Sequence, residues 1–263
     1  MATHPQPFQY WGPALCLLGA ASILVAAVLR CLLPGPSVLS GQEPTLPPTL
    51  AMRLEVYFGL HGLWAFLFGA VIWQGVRPDG IDLRTAAERR WSVWEPAEWI
   101  YLCAYLIPLV IPWLPRTRAA LRQYSLLFLA VLAASLACFV LLPWYSPPRP
   151  FEPTSGIGRI LAWETGRANF AAASFPSFHV LWALFLAGVL APFGRPFAWA
   201  GVLGVAAMMV ACVANGSHAI VDVVASVLLY LAARWTWDQA GRRRSARAAT
   251  APTTRPASAP PRP

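Results

Sequence analysis

The sequence predicts an all-α fold, a polytopic bundle of transmembrane helices. Three observations carry that expectation. Apolar residues make up 57% of the 263 residues and charged residues only 12%, where a soluble domain carries about 25% charge. The apolar residues gather into stretches of about 20, the length a helix needs to cross a hydrocarbon core. Thirteen tryptophans fit the aromatic belts at the two membrane–water interfaces.

Seven stretches meet or approach that length, near residues 13–33, 55–76, 97–114, 124–143, 177–193, 197–214 and 218–236. The first has a long apolar run, no basic segment before it and no small-residue cleavage site after it, so it reads as a retained anchor helix and not a signal peptide. The third contains Pro108 and Pro112 and is expected to kink. Between helices, residues 34–54 are rich in Pro, Ser, Gly and Thr, which suits a flexible connection. Residues 77–96 are charged, carry Trp91 and Trp94, and suit a segment lying along the interface. Residues 144–176 form a long loop, of the kind that is often functional. The expected division is residues 1–54 as anchor helix and loop, 55–237 as the catalytic membrane domain, and 238–263 as a disordered basic tail rich in Pro and Ala.

The net charge of +9 does not point to nucleic acid, because the arginines lie in loops and in the tail. Arg116, Arg118 and Arg122 in one short loop, and Arg242, Arg243, Arg244 and Arg247 after the last helix, place those segments in the cytoplasm. Seven passes then put the 77–96 loop outside in spite of Arg77, Arg84, Arg89 and Arg90. A six-pass alternative, with 97–114 not crossing, puts it inside. Both leave the polar sites described next on the outer face. Cys16, Cys31, Cys103, Cys138 and Cys212 lack CxxC spacing and read as small buried hydrophobes.

Ionisable groups at membrane depth are costly and mark function. His218 and Asp222 are four apart, one turn on the same helix face. A carboxylate beside an imidazole fixes its tautomer and leaves the other ring nitrogen as nucleophile or base; simple structural pairing explains the two residues equally well. Pro176-Ser177-Phe178-His179 opens the fifth helix. Proline and serine there are ordinary start signals, but His179 is not, and free N–H groups at a helix start suit a phosphate. Arg149, inside Pro147-Pro148-Arg149-Pro150, offers a phosphate-binding fork or an interfacial contact with lipid headgroups. Together the three sites hold what metal-free phosphoryl transfer requires: a nucleophile, an acid and cationic support.

At these residues the chain resembles the type 2 phosphatidic acid phosphatase (PAP2) superfamily, over about residues 95–236. It looks closest to the subgroup of inositolphosphotransferases and inositol phosphorylceramide synthase-like proteins. The resemblance implies a six-helix core, here with an extra N-terminal helix. It implies His218 as nucleophile, Asp222 as its orienting partner, His179 as general acid, and Arg149 and Ser177 as phosphate ligands. Two family cations are missing: Leu142 stands where the first motif has lysine, and Cys212 where the third has arginine. The named subgroup often lacks both. Arg159 and Arg167, in the long outer loop, are candidates to replace them or else solvated loop charges. His61 reads as a packing histidine, and His4 lies in a terminus expected to be disordered.

The expected function is hydrolysis or transfer of a lipid phosphate ester in the inner (plasma) membrane, through phosphohistidine, with no metal, no cofactor and no nucleic-acid partner. An alcohol such as inositol is the alternative acceptor. A non-catalytic transporter or lipid-binding protein is the alternative class, although no internal repeat of the transporter kind is present.

Overall fold

The computed structural model describes residues 11–33, 35–166 and 168–250. The helices are α1 (Trp11–Leu32), α2 (Leu50–Gln74), α3 (Glu95–Trp113), α4 (Arg118–Leu141), α5 (Gly156–Thr165), α6 (Phe178–Phe193), α7 (Arg195–Ala214) and α8 (Ile220–Thr250). Among the described residues six of these are long and apolar enough to cross a membrane, namely α1 to α4, α7 and the Ile220–Arg243 part of α8. The remaining apolar helix, α6, is shorter. Among the described residues the strand content is one parallel pair, β1 (Ile81–Asp82) against β2 (Trp144–Tyr145).

Local chemistry sets the helix ends. Thr49 accepts from the Met52 N–H at 3.2 Å and starts α2. Thr117 does the same for α4 through Ala120, and Ser155 for α5 through Gly158, each meeting a donor the first turn leaves unpaired. Pro108 and Pro112 break α3 into alternating α and 3-10 segments, as their missing N–H groups require. In α2, a π-helical turn spans Glu55–Leu60.

The ends of the helices fall into two sets. At one end Ile81 and Asp82 pair with Trp144 and Tyr145, and the Trp94 N–H bonds Ala214 O at 2.9 Å. At the other end the Arg118 and Ala119 N–H groups bond Leu46 O and Pro44 O, and the Arg116 guanidinium sits 4.3 Å from the Phe193 ring centre. α3 runs from Trp94 at the first end to Pro112 and Pro115 at the second, where their carbonyls accept from Arg53. The helix therefore runs the length of the bundle beside its neighbours, and by length and composition it is a candidate span.

Three expectations need correction. The connection before α2 is fastened, not loose: Ser37 Oγ and Val38 N–H donate to the Glu55 carboxylate at 2.6 and 3.0 Å, and Val38 is buried. Of the five cysteines only Cys212 is buried; Cys31 and Cys103 are exposed on apolar helices. The last helix does not stop near 237 but continues through the arginine run to Thr250, because Ala, Arg and Gln favour helix whatever their polarity. Residues 251–263 and His4 lie outside the described residues.

The core between α2, α4 and α6 is aromatic. His61 lies within it, its Nε2 2.8 Å from Tyr124 Oη and its ring against Phe128 and Trp182, as expected of a packing histidine. α1 closes onto α2 through glycines. A Cβ at Gly69 would stand 2.8 Å from the Cys16 backbone nitrogen, and one at Gly62 would stand 2.7 Å from Ser22 Cβ. Small residues permit such approach where no hydrophobic force joins helices in lipid. Gly69→Leu is expected to lower stability by about 2 kcal/mol or more, read as a lower unfolding temperature in detergent. An unchanged temperature would mean that α1 is not held by this contact.

Candidate active site

The turn between α7 and α8 organises the site. Gly216 adopts φ +80°, and a Cβ there would meet Arg149 and Val93 side-chain atoms at 3.1 Å, so glycine alone fits without strain. The turn presents Ser217 and His218 to a cavity and then enters α8. The His218 N–H returns to Cys212 O at 3.0 Å, and the Ser217 N–H is held by Asn215 Oδ1 at 3.0 Å. Asn215 is in turn tied to the buried Glu98 of α3 at 2.8 Å.

Asp222 is completely buried in the first turn of α8. Its Oδ2 accepts from the Ala219 N–H at 2.9 Å and lies 3.4 Å from His218 Nδ1. Its Oδ1 accepts from Ser146 Oγ at 3.0 Å. A second carboxylate, Glu88, accepts from the Ile220 N–H at 2.7 Å. Burial opposes ionisation of Glu88. Bonds from the Ile220 N–H and from the Thr85 N–H and hydroxyl, with Arg84 nearby, outweigh it and hold the carboxyl below the ordinary glutamate value. Two carboxylates thus meet the positive start of α8.

His179 lies in the first turn of α6. Its ring stacks on Tyr101 with centres 3.8 Å apart, meets Tyr105 edge-on, and stands 5.6 Å centre to centre from the His218 ring. The structure therefore brings together the three residues assigned to catalysis from the sequence. The first N–H groups of α6 have no partner within the helix, and they begin beside His179.

Ser177 is wholly buried, with its hydroxyl 4.0 Å from Cys212 Sγ. Its N–H bonds Asp222 O, and its carbonyl accepts from Ser226 Oγ at 3.0 Å, so it joins α6 to α8. Arg149 is also buried, and its Nη atoms are engaged by backbone: Nη1 donates to Trp91 O at 3.0 Å, and Nη2 to Val213 O and Ala214 O. Its Nε has no hydrogen-bond partner. Arg159 is exposed on α5, and Arg167 lies outside the described residues.

The residue that the sequence did not single out is Arg84. The 77–96 segment does not simply lie on the interface; it turns inward after β1 and buries this guanidinium. Nε donates to Pro147 O at 2.5 Å, Nη1 to His218 O at 3.3 Å and Nη2 to Gly216 O at 2.6 Å. Burial lowers its pKa, and Arg149 beside it lowers it further, against Asp222, Glu88 and Asp82; a guanidinium nevertheless stays charged. Burial likewise lowers the pKa of Arg149, opposed by Glu88. Two cations thus back the turn that carries His218. No spacing signal marks Arg84. Arg84→Gln is expected to cost about 3 kcal/mol, since three charge-assisted bonds to carbonyls are lost, and to lower turnover with it. Arg84→Lys should recover little, because the planar fork is what reaches three carbonyls. Unchanged unfolding temperature and turnover in Arg84→Gln would remove the residue from the site's support.

Ser217 was not singled out either; the residue lines the cavity beside His218, and its hydroxyl is buried with no hydrogen-bond partner. Among the described residues no three of His, Cys, Asp or Glu group as metal ligands do.

No curated protein and no solved structure matches the chain. A family model does, that of the PAP2 superfamily, over residues 80–236. The matched segment begins just before Arg84 and takes in His179, His218, Asp222 and Arg149. With more than half of its length covered, the chain belongs to the PAP2 superfamily.

Proposed function

We propose that the protein is an integral membrane enzyme that cleaves or transfers the phosphate ester of a lipid through a phosphohistidine on His218. The carrying observation is the placement of His218, oriented by Asp222, and of His179 at the polar end of a cavity whose remaining wall is mostly apolar. Family membership supports phosphatase chemistry.

The Nδ1 edge of His218 faces Asp222, which leaves Nε2 to attack phosphorus. The bond to the leaving oxygen breaks as the N–P bond forms, and His179 in its protonated form gives that oxygen its proton. His179 then takes a proton from water as water attacks phosphorus, which frees His218. Asp222 stabilises the positive charge that develops on His218. The first N–H groups of α6 meet the equatorial oxygens. Arg149 and Arg84 contribute chiefly through their field, because most of their N–H donors serve the backbone. Ser177 contributes by locking α6 to α8. Arg159 and Arg167 of the outer loop are the auxiliary cations nearest in sequence.

An alcohol in place of water makes the same site a phosphotransferase. Leu142 and Cys212 at the two substituted positions favour the inositolphosphotransferase-like branch. Orientation follows from arginine. At the end away from the site lie Arg116, Arg118, Arg122 and Arg195, and α8 carries Arg242 and Arg243 towards it. At the site end Arg77 and Arg89 pair with Asp79 and Asp82, and Arg84 and Arg149 are buried. The site then opens on the outer face of the inner membrane and the tail is cytoplasmic.

The test is phosphate release from a panel of lipid phosphates by purified protein in excess chelator, beside His218→Ala. Release by the wild type alone is the expected result. Release restored only by a divalent metal would overturn the mechanism. No release with any lipid, and no headgroup exchange with an alcohol, would leave a non-catalytic lipid-binding protein or transporter.

A further inference from the structure

The cavity under the two histidines has a volume of about 660 Å³, far more than a phosphate fills and within the range of sites that enclose a whole organic ligand. At about 30 Å³ for a water-sized or methylene-sized group, it holds roughly 20 of them. That is room for at least one long hydrocarbon chain.

The wall changes with distance from His218. Near it are Ser146, Ser174, Ser217 and Glu164; farther away the lining is mostly Leu, Phe and Trp from α1, α2 and α6, with Ser22, Tyr57 and His61 among them. α1 lies outside the segment that matches the family, yet its Leu18 and Ser22 line the cavity, as do Tyr105 and Leu109 of α3. Leu18 and Leu109 are also 60% and 45% exposed. Lining residues this exposed mark the mouth, which lies between α1 and α3 and has Ile160 and Trp163 of α5, 41% and 51% exposed, at its loop end. Towards the loops, Trp11 of α1 meets Trp163 of α5 edge to face with ring centres 5.8 Å apart. That contact bridges the gap on the side where water lies.

We propose that the gap between α1 and α3 is a lateral portal, and that the cavity behind it binds a long chain of a phosphate-bearing lipid, with α1 as one of its walls. The identity of the occupant follows from the surroundings. A mouth at membrane depth admits hydrocarbon, and the apolar wall gains about 25 cal/mol for each Å² it removes from water. The polar end receives one small charged group. The proposal rests on the phosphoryl-transfer reading only for the group held at that end.

The probe is a single-chain alkyl phosphate with a photoreactive diazirine far along the chain, applied to wild-type protein and to His218→Ala in bilayers. Labelled residues are mapped by peptide mass spectrometry. Adducts at Leu18, Ser22 and Leu109 that are lost on adding unlabelled long-chain alkyl phosphate are expected. In Leu18→Trp, which narrows the mouth from α1 at a residue that is 60% exposed, the adducts at Ser22 and Leu109 should be lost while the unfolding temperature is kept. Adducts confined to outward residues such as Leu24 and Leu228, unchanged by competitor, would overturn the portal even if phosphate is released. Competed labelling of the cavity without any phosphate release would instead leave the portal standing and overturn the catalytic reading.

Discussion

His218→Gln is expected to lower turnover by at least about 10⁴-fold, as loss of a nucleophile does where no other group can take its place. Glutamine approximates the length of histidine but cannot carry a phosphoryl group through a ring nitrogen. The fold should survive, because the turn is held by backbone: His218 N–H to Cys212 O, and His218 O to Arg84. Stopped-flow or quenched turnover measures the loss. Wild-type protein mixed with radiolabelled lipid phosphate and quenched in base should retain label on histidine, and the variant should retain none. A decrease of less than tenfold would show that His218 is not the attacking group.

Asp222→Asn should lower kcat by about 10² to 10⁴-fold with little change in KM. The upper figure is the cost of the same replacement in a Ser-His-Asp triad, where the amide favours the wrong tautomer. Asparagine is isosteric, and Ser146 Oγ, which donates to Asp222 Oδ1 at 3.0 Å, can reverse its role and accept from the new amide. The other oxygen can still accept from the Ala219 N–H. What disappears is the negative charge 3.4 Å from His218 Nδ1, and with it the stabilisation of the imidazolium formed when the phosphoryl group arrives. Because that charge matters after binding, kcat falls and KM does not. Raised KM with unchanged kcat would assign Asp222 to substrate binding or to structure alone.

The helices were legible because hydropathy and length are properties of single stretches. Even the breaks in α3 follow from Pro108 and Pro112. His218 and Asp222 were legible because four residues make one helical turn, and His179 because it follows a helix-start signal. What the chain hides is what tertiary contact creates. Arg84 looks like one of four loop arginines, and the ladder that draws its segment inward pairs only two residues with two. Ser177 and Arg149 have the residue types of phosphate ligands, but the Ser177 hydroxyl is buried against Cys212 Sγ and the Nη groups of Arg149 are spent on the Trp91, Val213 and Ala214 carbonyls. The α8 extension was missed because polarity was read as disorder, whereas helix propensity ignores polarity.

The length of α6 has a consequence for the membrane itself. Thirteen residues of α-helix and three of 3-10 helix rise about 25 Å, against a hydrocarbon core of about 30 Å. With its far end at one edge of that core, the histidine at its start lies about 5 Å inside the other edge, or the bilayer is pinched around it. On the proposed mechanism a phosphomonoester must sink into a wet pit before it reacts. A compact headgroup can follow that path, while the bulky headgroups of ordinary phospholipids are kept at its rim, so depth sorts substrates before any side chain touches them.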